Sequence, residues 1–382
     1  MNKIQLFNKG IKVTCTKDED MFTHLSSLYP FHYNRSQTEF WLSPFYAPEV
    51  LSILRGFSIS NIEQIPIKAY KYIYKEICRR KNLQDLLKNG PKESCVVTKY
   101  LTLKRHQQLG REIAHIQDRY GFFYDTRTGK TPMSLAIIHD DLQEHPEHKW
   151  LILCPLILIK NAWLEDAQRF VPDIKVINCW APTKAARLKA IKSNAKDGQI
   201  FISNTESFVN YRQYLEPLHF TGAFIDESSD MKSPRSKVSK CLVDFAQTID
   251  RFYLLSGTPA PNCESEYYMQ MRAIDFYGWH QSYNQFKNDY FVNLSFNPAY
   301  EKLALKPDKK DKLFNKIKIL GPEKSLLYKR LTNNEVTPKS DIRWNFEKFL
   351  ISKNGEIVSR FSSSITPKSE KIISAIEHEL KK

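Results

Sequence analysis

The stretch GFFYDTRTGKTPMSLAIIHDDLQEHPEHKWLILCP (residues 121–155) predicts the fold of the middle of this chain. It contains, in order, a short aromatic run, a glycine-containing loop, a helical segment and an unbroken apolar run. Such βαβ units place strands in parallel, and strands buried on both faces have continuous apolar sequences. Similar runs follow as DIKVINC (173–179), QIFISN (199–204), GAFIDE (222–227) and RFYLLSG (251–257). We therefore predict a doubly wound parallel α/β domain over residues 98–310.

The overall composition argues against a disordered or membrane-embedded protein. With 42% hydrophobic residues, the 382-residue chain can bury a core in each of two or three domains. It has no run of about 18 apolar residues and no apolar secretion signal, so we expect a cytoplasmic protein without a membrane partner. The seven cysteines form no C-x-x-C pair that would indicate a zinc or redox site. A net charge of +15 fits a nucleic acid partner, but it fits the codon bias of an AT-rich genome as well.

The loop after the first aromatic run has the chemistry of a phosphate loop. Thr128, Gly129, Lys130 and Thr131 stand directly before a helical segment. Backbone N–H groups at a helix N-terminus bind phosphates, a lysine neutralises the β and γ oxygens, and a threonine hydroxyl can hold Mg²⁺. The pattern G-x-x-x-x-G-K-S/T lacks its first glycine, because Tyr124 stands there. By itself the segment is also compatible with a chance GKT in a turn.

An acidic pair follows a later predicted strand. The run GAFI ends at Asp226 and Glu227, and the C-terminal ends of strands are where α/β sheets bind ligands. There Asp226 can orient Mg²⁺ through water, and Glu227 can polarise a water for attack on the γ-phosphate. Without a phosphate loop before it, a solvated pair of loop carboxylates would be the simpler interpretation.

The next predicted strand ends in small, turn-forming residues. Ser256, Gly257 and Thr258 stand where the strand should stop, and their hydroxyls could sense the state of a bound nucleotide. The sequence S-G-T-P is also an ordinary turn. Its coupling role therefore depends on the two preceding segments.

Together these segments resemble the Swi/Snf family of superfamily-two helicase-like ATPases. The matching segments are LKRHQ (103–107), DTRTGKT (125–131), LILCPLILIKNAW (151–163), ISNTESF (202–208), DESSDMKS (226–233) and LLSGTPAPN (254–262). The resemblance implies a RecA-like lobe that binds ATP and Mg²⁺, with Gln107 reading the adenine. It also implies a DNA partner, duplex or branched, with Lys160 and Asn161 as phosphate contacts. Arg127 replaces a glycine that is common in the family.

The terminal segments resemble other proteins. Residues 1–97 are predicted to be a small α+β domain, and HYNRSQTEFWL (32–42) resembles a HARP-like accessory domain of annealing helicases, in which Tyr33 and Trp41 either stack on bases or fill a core. In residues 311–382, FLIS and EIVSRF flank an Asn-Gly turn and precede a helix, so a hairpin and helix are expected.

The signature WNFEKFL (344–350) in this last segment resembles the final third of glutathione peroxidases, of thioredoxin-like fold. Trp344 and Asn345 occupy two positions of that family's catalytic set. The cysteine-bearing turn of that family has no counterpart here, so we expect no peroxidase activity.

The family resemblance leaves three functions open. The chain has no arginine-bearing Q-x-x-G-R-x-x-R motif after residue 262, although such arginines from a second lobe stabilise the transferring phosphoryl group. We expect a DNA-dependent ATPase lobe of viral or bacterial type, with weak activity unless a second lobe acts in trans. The alternatives are a nucleic-acid-binding module that does not hydrolyse ATP and a protein related to glutathione peroxidase.

Overall fold

Strands and helices alternate along most of the chain in the computed structural model, which describes residues 4–7, 10–14, 20–28, 31–36, 38–56, 67–91, 96–295, 301–318, 348–352, 357–362, 365–366 and 369–380. The strands are β1 (Ile4–Phe7), β2 (Gly10–Thr14), β3 (His32–Asn34), β4 (Glu39–Leu42), β5 (Val96–Thr98), β6 (Leu101–Thr102), β7 (Arg119–Phe122), β8 (Trp150–Cys154), β9 (Val176–Asn178), β10 (Ile200–Asn204), β11 (Gly222–Asp226), β12 (Arg251–Leu255), β13 (Phe291–Asn293), β14 (Leu303–Leu305), β15 (Lys348–Ile351) and β16 (Ile357–Phe361).

The α-helices are α1 (Asp20–Ser26), α2 (Ala47–Gly56), α3 (Ile67–Asn89), α4 (Arg105–Ile116), α5 (Lys130–Glu144), α6 (Leu156–Leu158), α7 (Glu165–Phe170), α8 (Lys184–Ser193), α9 (Thr205–Leu215), α10 (Lys237–Thr248), α11 (Tyr267–Ile274), α12 (Tyr283–Tyr290), α13 (Lys310–Lys318) and α14 (Glu370–Leu380). A π-helical turn, Ile159–Leu164, joins α6 to α7. Residues 1–321 and 322–382 form two compact units.

A parallel sheet carries the candidate site. Among the described residues it has six strands in the order β7-β12-β11-β8-β10-β9. All pairs are parallel, with Asp226 opposite Leu255 and Leu255 opposite Phe122. This sheet confirms the predicted doubly wound, RecA-like α/β fold.

The apolar strands of this sheet are buried on both faces. In the central strand β8, Trp150 and Ile152 pack into one core with side chains of α4, α5 and α7. Leu151 and Leu153 point the other way, into a second core with side chains of α9, α10 and α11. Because successive side chains of a strand alternate between faces, a continuous apolar run supplies both cores.

The strand before the phosphate loop ends earlier than the sequence predicts. The aromatic run 121–125 was expected to be the strand, but β7 covers Arg119–Phe122. Pairing with β12 stops at Phe122. The backbone carbonyls of Tyr124 and Asp125 instead accept hydrogen bonds from the Lys130 ammonium, at 3.1 Å each, and so belong to the loop.

An antiparallel sheet of order β1-β2-β4-β3 occupies the first part of the chain. Its core includes Val13 and Phe40, together with side chains of α1, α2 and α3. The ring centroids of Tyr33 and Phe40 are 4.8 Å apart, which matches the alternative in which Tyr33 fills a core. The domain division at residues 97 and 310 stays a prediction, and helix α13 contributes Leu313 to the core of the parallel sheet.

The second compact unit contains the predicted hairpin strands and helix. Strands β15 and β16 pair in antiparallel fashion, with Lys348 opposite Phe361. The isoleucines of α14 are only partly buried. Ile372 is 7% exposed, whereas Ile373 and Ile376 are 43% and 40% exposed. Trp344, Asn345 and the Asn-Gly turn at 354–355 lie outside the described residues. Within the described residues, no helix is both long and apolar enough to cross a bilayer.

Candidate nucleotide-binding site

Two residues with left-handed backbone conformations shape the loop between β7 and α5. Gly129 caps α5 with φ of 77° and ψ of 51°. Arg127 has φ of 64°, a conformation that costs a non-glycine residue about 1–2 kcal/mol. Arg127, which stands where the Swi/Snf family commonly has glycine, thus adopts a backbone conformation that glycine takes without strain.

Gln107 ties this loop to the N-terminus of α4. Its Nε2 donates to the carbonyl oxygens of Thr128 at 3.1 Å and Gly129 at 3.0 Å. Its Oε1 accepts from the backbone N–H of Lys104 at 2.8 Å. A Cβ on Gly129 would come within 2.1 Å of the Gln107 Nε2, so only glycine fits there while Gln107 keeps its position. The structure thus gives Gln107 a loop-holding role, and its reading of adenine stays a prediction.

Asp226 is a buried carboxylate with both oxygens bonded. Its Oδ2 accepts from the indole Nε1 of Trp163 at 2.9 Å, and its Oδ1 accepts from the backbone N–H of Glu227 at 3.1 Å. Burial raises the pKa of Asp226, and the hydrogen bond from Trp163 and the positive charge of Lys130 partly offset this. The positive charge of Lys130 thus acts on Asp226 in the folded chain.

Glu227 follows Asp226 in a left-handed conformation with φ of 54°. Burial and the negative charge of Asp226 raise the pKa of Glu227, whereas Lys130 and a hydrogen bond from the Ser256 side chain lower it. A half-buried carboxylate with a raised pKa has the proton affinity that a general base needs.

The residues after β12 contact both of the preceding segments. Ser256 is fully buried, bonds Glu227, and accepts the backbone N–H of Thr258 at 3.2 Å. Gly257 packs on the phosphate loop so closely that a Cβ would lie 2.9 Å from the Thr126 methyl carbon. These contacts place the predicted coupling residues between the acidic pair and the loop.

Sequence reasoning missed two further parts of the site. Trp163 ends the segment LILCPLILIKNAW (151–163), and the sequence assigns it no role, although a buried indole N–H generally needs a partner. The fully buried Ser228 donates to Gln270 Oε1 at 2.7 Å, and Gln270 Nε2 donates to Pro259 O at 2.6 Å. This chain of bonds joins the acidic segment to the residues after β12, and no local pattern in the sequence indicates it.

The predicted DNA contacts lie on the π-helical turn. Lys160 and Asn161 are exposed there, while Trp163 of the same turn is buried. Thr131 lies in the first turn of α5, half-buried. The structure thus brings the loop, the acidic pair and Ser256 together and places Lys160 and Asn161 at the surface.

The oxygen donors of this site fit a hard divalent cation. The Thr131 hydroxyl and the Asp226 carboxylate are ligands of the type that Mg²⁺ prefers. Burial raises the pKa of both carboxyl groups, and the negative charge of Asp226 raises that of Glu227 further. A cation between protein and phosphate would favour the charged form of both.

Known proteins resemble different parts of the chain. A thioredoxin/glutathione peroxidase of Escherichia coli, BtuE, is 30% identical over 92 residues, which cover 22% of this chain and 50% of that protein. The solved SWI2/SNF2 ATPase core of Sulfolobus solfataricus in complex with dsDNA is 20% identical, with a TM-score of 0.46, over 59% of this chain and 46% of that one.

A human relative and a family model also match the chain. A human SWI/SNF-related regulator of chromatin, subfamily A member 1, is 28% identical over 114 residues, or 29% of this chain and 11% of that protein. The chain thus aligns with about a tenth of this relative's length. The model of the SNF2-related domain matches residues 68–375, which is more than half of the 382 residues. The chain therefore belongs to the SNF2-related domain family.

Proposed function

We propose that the chain is the ATP-binding lobe of a DNA-dependent ATPase. The observation that supports this most directly is the convergence of Lys130, Asp226, Glu227 and Ser256 at the C-terminal edge of one parallel sheet. This edge is where open α/β sheets bind their ligands. A cation, a buried carboxylate and a carboxylate with raised pKa within reach of one another suit phosphoryl transfer.

Each residue has a distinct part in this proposal. The N-terminus of α5 and Lys130 hold the phosphates, with Gln107 fixing the loop through Thr128 and Gly129. Thr131 and Asp226 hold the metal ion, which neutralises charge on the phosphate oxygens when it is bound.

Glu227 accepts the proton of the attacking water. Its raised pKa makes it a better base than an exposed glutamate, and the hydrogen bond from Ser256 orients it. Because Gly257 packs on the phosphate loop, a movement of that loop is transmitted to Ser256 and Glu227.

We also propose that the exposed part of the π-helical turn contacts the DNA backbone. Lys160 and Asn161 offer a charge and an amide to phosphate oxygens, contacts that position a protein without reading sequence. The net charge of +15 supports an anionic partner. Binding should accordingly weaken as salt concentration rises.

Two variants test the two sites separately. Calorimetry with ADP and Mg²⁺ should show binding to the wild-type chain and none to Lys130→Ala, whereas duplex DNA affinity of this variant stays unchanged. The double variant Lys160→Ala, Asn161→Ala should lose duplex DNA affinity and keep the wild-type affinity for ADP and Mg²⁺. Unchanged nucleotide affinity in Lys130→Ala would refute the phosphate-loop assignment.

A binding module without ATP hydrolysis is the second candidate. The observation in its favour is that the net charge of +15 and the exposed Lys160 and Asn161 suit nucleic acid binding whether or not ATP is hydrolysed. An ATPase assay with and without DNA separates the two candidates. Salt-sensitive DNA binding without any phosphate release would favour the binding module.

A further inference from the structure

One turn of the chain has an exposed face and a buried face that reach different parts of the candidate site. In the π-helical turn Ile159–Leu164, Lys160 and Asn161 are exposed. Trp163 is fully buried and donates its indole N–H to Asp226 Oδ2 at 2.9 Å. Single π-helical turns inside helices occur frequently at functional sites.

The hydrogen bond from Trp163 fixes the orientation of the Asp226 carboxylate. Oδ1 is held by the backbone N–H of Glu227, so the indole is the partner that holds Oδ2. A carboxylate with only one oxygen held can rotate about χ2, which is a soft torsion in aspartate. The position of the metal-side carboxylate therefore depends on where the π-helical turn places Trp163.

We propose that Trp163 is a positioning residue that couples DNA bound at the π-helical turn to Mg²⁺-nucleotide bound at Asp226. This inference rests on the proposed function, because it assumes both ligands. The connection is short: one turn of backbone and one buried hydrogen bond join Lys160 and Asn161 to Asp226. If DNA shifts the turn, the indole moves Asp226 with it, and the coupling must act equally in both directions.

The structure offers a matched control for removing this indole. Trp150 is also fully buried and donates its indole N–H to a buried aspartate, Asp141 Oδ2, at 2.7 Å. Trp150 begins β8, whereas Asp226 ends the neighbouring strand β11. Trp150→Phe thus deletes the same donor at the opposite ends of the strands, where Asp141 keeps His148 and Arg251 as partners.

The experiment compares the wild type, Trp163→Phe and Trp150→Phe by calorimetry. The affinity for ADP is measured with Mg²⁺ and with a chelator, and the affinity for a short DNA duplex is measured with and without Mg²⁺-ADP. In Trp163→Phe the gain in ADP affinity from Mg²⁺ should fall about tenfold, as expected for the loss of one hydrogen bond to a charged group, while affinity without Mg²⁺ stays the same. The mutual effect of DNA and Mg²⁺-ADP should disappear in this variant and persist in Trp150→Phe.

Several results would overturn the inference. One is a Trp163→Phe variant whose Mg²⁺ dependence and DNA coupling equal those of Trp150→Phe. Another is found in the wild type: DNA and ADP change each other's affinity equally with and without Mg²⁺. This measurement does not depend on whether a variant folds. Wild-type coupling that is absent altogether also overturns it while leaving the proposed function intact. If the wild type fails to bind Mg²⁺-ADP at all, the proposed function itself is wrong.

Discussion

Replacing Gly129 by alanine tests whether the phosphate loop is held by its contact with Gln107. Gly129 has φ of 77°, and its missing Cβ would lie 2.1 Å from the Gln107 Nε2. Alanine therefore has to strain the backbone and also displace the Gln107 amide. The displaced amide loses its bonds to the carbonyl oxygens of Thr128 and Gly129.

The two effects have separate magnitudes. The left-handed conformation costs alanine about 1–2 kcal/mol. Each lost hydrogen bond contributes about 0.5–1.5 kcal/mol, so displacement of Gln107 adds roughly 1–3 kcal/mol. Gly90 provides the control, because it has φ of 80° and a Cβ there would meet only the flexible end of Arg105, at 3.1 Å. Gly90→Ala should therefore show the backbone cost alone.

The assay is urea denaturation of both variants, together with calorimetry of ADP and Mg²⁺. We expect Gly129→Ala to lower the free energy of unfolding by about 1–3 kcal/mol more than Gly90→Ala, since only the former displaces Gln107. Nucleotide affinity should fall in Gly129→Ala and stay at the wild-type value in Gly90→Ala. Equal stability and equal affinity of the two variants would refute the proposed role of Gln107.

Three further predictions concern acid stability, turnover and the C-terminal segment. Burial alone would raise the pKa of Asp140, but hydrogen bonds from His115, His139 and Arg111 outweigh it and hold the pKa well below the ordinary value. A depressed carboxyl pKa adds stability above about pH 4, and this stability is lost progressively as pH falls toward the folded pKa. Asp140→Asn should therefore lower the free energy of unfolding by about 1–3 kcal/mol at pH 7 and by less at pH 2. An equal loss at both pH values would contradict this. The chain alone should hydrolyse ATP slowly even with saturating DNA, because an arginine supplied by a facing domain raises kcat about 10³–10⁵-fold in related enzymes. Phosphate release at about 1–100 s⁻¹ by the chain alone would disprove this prediction. Glutathione-dependent peroxide consumption should be undetectable, and measurable turnover would show that the tail is an active peroxidase after all.

The predictable part of the site consists of residues that directly follow strands of the parallel sheet. The loop from Thr128 to Thr131 and the pair Asp226 and Glu227 follow strands that an apolar run marks, and parallel strands bring their C-terminal ends to one edge. Their proximity to Lys130 therefore follows from the fold alone. The structure adds that Arg127 takes a glycine-like conformation, which the residue type would not suggest.

The unpredictable part depends on contacts between distant segments. The bond from Trp163 to Asp226 spans 63 positions, and the bond from Ser228 to Gln270 spans 42. A tryptophan in an apolar helix is explained by burial, so nothing in the sequence requires its N–H to reach a carboxylate. The end of β7 was misplaced for a related reason: Tyr124 has a strand-forming side chain, but its carbonyl oxygen bonds Lys130.

The position of β7 in the sheet has a consequence for how the protein folds during synthesis. Among the described strands, β7 pairs only with β12, so residues 119–122 depend on residues 251–255 for their place. Pairing of segments so far apart closes a long loop and is slow. During synthesis, which proceeds from the N-terminus at about 5–20 residues per second, the phosphate loop leaves the ribosome well before β12. A nascent chain should therefore acquire nucleotide binding late and abruptly, when β12 emerges, and fragments that end before residue 251 should not bind nucleotide.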